Sequence, residues 1–304
     1  MEQQGPWVGL REYMSTRKAC VLSIAEIGDN SLRTLVEQYS EDRCAFLPVP
    51  DDRVICRVLG KYLIWVDAHD QGLSPHLIFQ GYWEMWVTAV VARFTRPGMT
   101  AIDVGANVGY YTILLADAVG PLGRVIAWEP NPRLAQMLSI SAGINGFAPR
   151  VSVRPEALSA SRQHPLEFAI PQLEPKNAGL IRTEMDRASF AAQFGTNMRI
   201  LEVPVAGLDD FELENVGIIK IDAEGAEYDI WTGMQKTIAR SPDLSILMEV
   251  NAMRGYDISA LYREASQLFP VRHVDFDGEI KPLTLEMLES QRPGSDWMMF
   301  LRRG

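Results

Sequence analysis

In TAIDVGANVGYYTILLA, residues 100–116, one aspartate, two glycines and an asparagine stand at the spacing D-x-G-x-N-x-G between an apolar run and a second run at helical spacing. Doubly wound sheets bind ligands where a strand turns into its helix, outside the carboxyl ends of the strands. Gly105 and Gly109 let backbone approach a ligand with no Cβ in the way, and the helix beyond offers free N–H groups and its positive dipole end. A pyrophosphate site of G-x-G-x-x-G type keeps a glycine where this chain has Asn107, and Asp103 places a negative charge where a phosphate would sit. A carboxylate attracts an ammonium or a sulfonium instead. These residue types therefore suit a cationic nucleoside with an amino-acid head, S-adenosylmethionine.

A second acid supports a nucleoside. Glu129 closes the run VIAWEPNP, 129 − 103 = 26 residues after Asp103, where a strand-end carboxylate can accept both ribose hydroxyls. A nicotinamide enzyme uses such an acid too, so Glu129 points to a nucleoside while Asp103 and Asn107 point to the kind. The plainer alternatives are a tight turn for the glycines and a surface acid before a proline for Glu129. In IIKIDAEGAEYDIWTGM, residues 218–234, an apolar strand delivers Asp222 to the same open end. Asp222 reads as facing the cationic ligand or as a general base; Glu224 and Glu227 read as complements to the dipole of the following helix. Glu249 ends another apolar strand and, with His76 in an upstream loop, completes the set of candidate bases. Asp222, Glu249 and Asn251 together offer three oxygen ligands that could hold Mg²⁺, although no metal site is assigned. Glu84 in GYWEMW binds the ligand's ammonium, binds substrate, or complements a helix N-terminus. Its neighbours Tyr82, Trp83 and Trp86 are core or a stacking platform.

Positioning these residues requires alternating strands and helices. The pattern gives strands at 100–104, 124–128, 151–154, 217–222 and 245–250, and helices at 83–95, 109–118, 132–143, 226–239 and 258–268. Residues 273–303 add an antiparallel pair around a helix, and the irregular stretch at 170–200 is expected to be a loop beside the open end, a substrate lid. Upstream, a packed helix near residues 30–45 and a β-hairpin about Gly60-Lys61, turning again after Asp70, form an extension over residues 1–81, ahead of an α/β domain over 82–304.

The 304 residues carry 29 Lys and Arg against 39 Asp and Glu, a formal charge of −10, which disfavours nucleic acid and anionic membranes as partners and favours a small molecule. Three scattered cysteines, Cys20, Cys44 and Cys56, suggest neither disulfides nor zinc. With no signal-like N-terminus and no long apolar run, the expected compartment is the cytoplasm. Nothing in the sequence sets the oligomeric state.

The segments DVGANVGYYT, GRVIAWEPNP, NGF, EALS, VAGLDDF, IKIDAEGAE and ILMEVN occur in the order found in the FkbM-type family of S-adenosylmethionine-dependent methyltransferases, and DQGLSPHLIFQGYWEMWVT resembles that family's lead-in. The resemblance spans roughly residues 54–252. It implies a class I methyltransferase (Rossmann-like) fold, a seven-stranded doubly wound sheet with an antiparallel last strand, and O-methylation of a hydroxyl on a sugar, polyketide or similar metabolite. By position it places the cofactor loop on Asp103, Gly105, Ala106, Asn107 and Gly109. Glu129 falls on the ribose with Pro130 and Asn131 following, Glu156 and Ala157 beside the adenine, and Asp222 beside the methionine or the acceptor. A nicotinamide-dependent oxidoreductase and a non-catalytic binding protein on the same fold remain the alternatives.

Overall fold

The structure, a computed structural model of the chain, describes residues 21–160, 165–181, 187–188, 190–192, 195, 197–290 and 296–303. Cys20, the first part of the N-terminal extension and part of the expected lid lie outside the described residues.

After the short helix α1 (Ile24–Ile27), whose Ser23 and Glu26 close a capping box, α2 (Arg33–Arg43) leads into a three-stranded antiparallel sheet of β1 (Phe46–Val49), β2 (Arg53–Val58) and β3 (Tyr62–Asp67). The hairpin read about Gly60-Lys61 is β2–β3. The turn read after Asp70 leads into a helix, because the Asp70 carboxylate accepts the N–H groups of Gly72, Leu73 and Ser74 and opens α3 (Ser74–Phe79). Helix α4 (Met85–Phe94) follows.

The α/β body then alternates: β4 (Thr100–Val104), α5 (Tyr110–Ala118), β5 (Arg124–Trp128), α6 (Pro132–Ile144), β6 (Val151–Arg154). Between β6 and the next long strand lie β7 (Ala157–Leu158), β8 (Leu166–Pro171), β9 (Gly179–Ile181), β10 (Met198–Val203) and β11 (Val205–Ala206). The stretch expected as loop thus contains a small antiparallel sheet, β10-β8-β9, in which alternate residues such as Phe168, Ile170 and Leu180 bury a face of their own. Next come β12 (Val216–Ile221), α7 (Glu227–Thr232), α8 (Gln235–Ala239), β13 (Ser245–Val250), α9 (Ile258–Leu268), β14 (Val271–Val274), β15 (Ile280–Pro282), α10 (Leu285–Glu289) and β16 (Trp297–Arg302). The single helix expected over 226–239 is broken at Gly233, where the backbone of Ser159 and Ala160 passes within 3.3 Å of the place a Cβ would occupy.

The main sheet has the order β15-β14-β16-β13-β12-β4-β5-β6. The five strands β6, β5, β4, β12 and β13 are parallel, and β16 enters antiparallel between β13 and β14. This is the class I order with the antiparallel last strand the resemblance implies, plus one edge strand, β15. Central strands covered on both faces read as continuous apolar runs, and every residue of β12 and β13 is buried. The N-terminal sheet leans on the outer helices. Lys61 Nζ and Tyr62 Oη meet Asp117 Oδ2 of α5 at 2.6 and 2.7 Å, and Arg133 of α6 meets Asp67 at 2.5 Å. Val54, Ile64 and Val66 share a core cluster with Ile113, Leu114 and Met137. Among the described residues no helix is long and apolar enough to cross a membrane.

Candidate functional site

Chain direction puts the ends of β4, β5, β12 and β13 on one edge of the sheet, and the charged residues of those strand ends converge there. Gly105 leaves β4 at φ +73°, and a Cβ at that position would lie 1.8 Å from the Asp222 carbonyl oxygen. Only a residue without a Cβ lets the two strand-end loops touch, and Asp222 N–H also bonds the Val104 carbonyl at 3.1 Å. Gly105 and Ala106 N–H both donate to the Trp128 carbonyl at 3.0 Å, so the loop is tied to β5 as well as to β12. Asn107 at φ +53° completes the turn into α5.

Glu129 ends β5 with both carboxylate oxygens engaged: Asn107 N–H donates to one at 2.8 Å and Asn131 N–H to the other at 2.8 Å. Each oxygen keeps a lone pair for a further donor. Burial raises its pKa to about 7 against the pull of those two N–H groups. The cavity above it, of about 530 Å³, is lined by Glu129, Pro130, Glu156 and Ala157 together with an apolar set that includes Leu134, Leu158, Phe168 and Ile230. An acid for two hydroxyls beside an apolar slot for a base is what a nucleoside requires. Glu129→Gln is expected to weaken S-adenosylhomocysteine binding about 10- to 100-fold, since it replaces a charged acceptor by a neutral one. Calorimetry checks this, and an unchanged affinity would remove Glu129 from the nucleoside site.

A second cavity, of about 570 Å³, continues past Gly105 and Asn107 and is lined by Glu84, Ala106, Tyr111, Lys176, Lys220, Asp222, Glu224 and Glu249. Lys220 and Asp222 are two residues apart, so they share a face of β12, and Lys220 Nζ stands 3.1 Å from Asp222 Oδ2 and 4.6 Å from the centre of the Tyr111 ring. Burial works against both charges. Asp222 and Asp103 nevertheless hold the lysine's pKa up, while Lys220 and Arg254 hold that of Asp222 down. Burial and the neighbouring Asp222 push Glu249 well above the usual carboxylate range. The ionised member of this pair of acids is therefore Asp222.

The sequence-predicted residues do not all reach the cavities. Asp103, expected to face the cationic ligand, lies beneath the loop rather than on its wall: it is fully buried, accepts a hydrogen bond from Thr112 Oγ1 at 2.6 Å and is balanced by Lys220. Gly109 serves α5 as its N-cap, at φ +94°. His76, a candidate base, lines neither cavity; its Nδ1 faces Gln80 at 2.8 Å and its ring packs edge-on against Trp83. Asn131 is the cap of α6 and reaches the site only through its N–H on Glu129. Glu84 makes no capping hydrogen bond to α4; its carboxylate accepts from Tyr111 Oη at 3.1 Å, and burial raises its pKa to about 7.

Glu227 is more than a dipole complement. It accepts from the N–H groups of Ala223 and Gly225, pinning the loop after Asp222. Arg254, which no sequence signal marked, binds Glu249 at 2.7 Å, Glu224 at 3.1 Å, Asp296 at 3.3 Å and Glu227 at 3.5 Å. Lys176 was also missed; Lys220 had a readable signal, a charge inside the apolar run IIKID.

Asp222, Glu224 and Glu249 each bring a carboxylate oxygen within 4.8 Å of the others. The set Asp222, Glu249 and Asn251, which the sequence offered as one that could hold Mg²⁺, does not fit, however. Asn251 is committed elsewhere, its amide accepting from Met253 N–H and donating to Asp296, and the charge a metal would supply is already provided by Arg254 and Lys220.

Three buried carboxyls make the stability pH-dependent. Burial raises Glu84 and Glu129 to about 7 and Glu224 to about 8, from an ordinary value of 4.5. Folded protein then binds more protons than unfolded protein between pH 4.5 and 8, so stability falls as pH rises through that window. The thermal midpoint of the ligand-free protein is expected to climb as pH drops from 8.5 to 6.5. A flat or opposite trend in a melting series would contradict the buried-acid assignment.

Comparison with known proteins adds the following. The profile of the Methyltransferase FkbM domain matches residues 103–280. Ribosomal RNA large subunit methyltransferase E of Pseudomonas paraeruginosa is 28% identical over 108 residues, 35% of this chain and 50% of that protein. The enzyme of that name from Hahella chejuensis is 28% identical over 109 residues, with the same shares. The chain thus spans about half the length of the curated relatives it matches. Among solved structures, an O-methyltransferase from Bacillus cereus in complex with SAH is 13% identical over 97% of each chain with a TM-score of 0.39. A SAM-dependent O-methyltransferase from Thermotoga maritima is 14% identical over 84% of this chain and 94% of its own, also at 0.39.

Proposed function

Because the chain belongs to the Methyltransferase FkbM domain family, whose profile covers more than half of it, we propose that it transfers a methyl group from S-adenosylmethionine to a hydroxyl oxygen of a small molecule. The observation that carries this reading is the continuity of an apolar, acid-edged nucleoside cavity with a second cavity rich in carboxylates, the two sharing Gly105, Asn107 and Asp222. The residues fit that cofactor: Glu129 for the ribose hydroxyls, Leu134, Leu158 and Phe168 about the adenine, and Asp222, Glu224 and Glu84 for the cationic end.

When bound, the cofactor supplies an electrophilic methyl on a positively charged sulfur. The acceptor oxygen's lone pair forms the new O–C bond, the S–C pair returns to sulfur to leave S-adenosylhomocysteine, and the hydroxyl proton goes to a carboxylate. Displacement of this kind is accelerated chiefly by holding the reacting atoms in line at short distance. The protein's part is therefore a fixed floor, made by the Gly105 and Asp222 loops in backbone contact. The acceptor oxygen becomes strongly acidic as the bond forms, so a weak base suffices, and ionised Asp222 takes the proton while Lys220 keeps it charged and aimed.

Calorimetry with S-adenosylhomocysteine and NADH tests the reading. Micromolar binding of the first and none of the second is expected, whereas silence with S-adenosylhomocysteine, or tighter binding of NADH, would overturn it. Asp222→Asn should weaken S-adenosylhomocysteine about tenfold, by leaving Lys220 without its nearest partner.

A further inference from the structure

Beside the two cavities runs a third, of about 920 Å³, which meets the second at Glu84 and Glu249. Its walls come from both ends of the body: Trp86 and Val87 at the start of α4, His273 to Phe276 at the end of β14, and Asp296 to Met298 at the start of β16. The rings stand edge to face in two pairs, Trp86 with Phe276 at 5.1 Å and His273 with Trp297 at 4.5 Å, and Phe276 is 66% exposed. His273 is only 3% exposed, yet its Nδ1 has no hydrogen-bond partner. Burial lowers its pKa, so it brings no positive charge and is free to bond a ligand's N–H or O–H.

The charge on these walls is one-sided. Glu84, Glu249, Asp275 and Asp296 line the groove, and among the described residues no Lys or Arg does. The cations behind the walls are already shared. Arg254 serves Glu224, Glu227, Glu249 and Asp296, and Lys281 serves Asp275 and Asp277. Arg33, over the outer face of Trp86 at 5.9 Å, is paired with Glu37. Arg254 and Lys281 are each divided among several acids, four and two respectively, so the wall carboxylates are only partly neutralised; with the aromatic faces beside them they favour a desolvated cation over phosphate or carboxylate.

We propose that this groove is the methyl-acceptor site and takes a small ring-bearing hydroxyl compound with a protonated amine, its ring against Trp86, Phe276 and Trp297 and its amine toward Asp275 and Asp296. The inference rests on the methyltransferase reading and narrows its substrate class. The hydroxyl to be methylated then lies at the shared mouth between Glu84 and Glu249. Polyanions such as an RNA strand are turned away.

Three matched phenols serve as probes of the protein saturated with S-adenosylhomocysteine, with tryptophan fluorescence as readout: tyramine, 4-hydroxybenzyl alcohol and 4-hydroxyphenylacetate. Tyramine is expected to bind at least about tenfold tighter than the carboxylate, with the alcohol between them. Phe276→Ala, at an exposed position, should weaken all three, and Asp275→Asn should narrow the gap between cation and anion. Equal or tighter binding of 4-hydroxyphenylacetate, no binding of any probe at millimolar concentration, or an order untouched by both substitutions overturns the proposal. Calorimetry on the same sample separates the two readings. If S-adenosylhomocysteine binds and the probe order fails, only the acceptor assignment falls; if S-adenosylhomocysteine does not bind, both fall.

Discussion

Arg254→Met is expected to cost about 3–5 kcal/mol of stability at pH 8, the usual consequence of removing one partner from a buried ionic group. Its guanidinium touches four carboxylates, Glu224, Glu227, Glu249 and Asp296, and Glu227 has no exposed side-chain surface at all. Methionine fills much of the same volume but leaves those acids facing one another. They would then escape by taking up protons, since burial already holds Glu224 at about 8 and Glu249 well above the ordinary range. The loss should therefore be smaller at pH 6 than at pH 8. Urea midpoints of the two proteins at both pH values check this; an equal difference at each pH would mean that Arg254 contributes packing and not charge.

Gly105→Ala should abolish cofactor binding and destabilise the fold in one step. An alanine at φ +73° costs about 1–2 kcal/mol from backbone conformation alone. The larger effect is steric, because the new methyl would stand 1.8 Å from the Asp222 carbonyl oxygen, which belongs to backbone and cannot swing aside. Either the β4 loop or the β12 loop must move, and both form the floor of the site. Gly98→Ala is the matched control. Gly98 has φ +84° and nothing within 4 Å of its would-be Cβ, so it reports the conformational cost by itself. S-adenosylhomocysteine affinity should drop more than about 100-fold in the first variant and stay unchanged in the second. Retained binding in Gly105→Ala would show that the two loops need not touch.

Much of the architecture was readable because it follows from periodicity and strand-end chemistry. The buried runs at 100–104, 124–128 and 245–250 are strands of the sheet at those bounds, and Glu129, Glu156, Ala157 and Asp222 meet around one cavity. What escaped depends on contacts between distant segments. Asp103, expected to face a cationic ligand, is instead fully buried and accepts a hydrogen bond from Thr112, nine residues on. His76 is drawn off by Gln80 and Trp83, a local choice that composition does not reveal. The turn read after Asp70 opens α3, whose first N–H groups the Asp70 carboxylate accepts, a helix that the sequence did not announce, and Gly233 split a helix to let residues 159 and 160 pass. Arg254 carries no pattern at all in sequence, because its four partners come from residues as far apart as 224 and 296.

The walls of the outer groove come from the helix that precedes the first parallel strand and from β14 and β16, while the cavity proposed for the nucleoside is built on loops from the middle of the sequence. With the acceptor seated in that groove, as proposed, preference for one acceptor over another can drift by exchange of a few rings and acids at residues 86–87, 273–276 and 296–298, without disturbing the cavity proposed for the methyl donor. A single donor apparatus could in this way be refitted to many recipients.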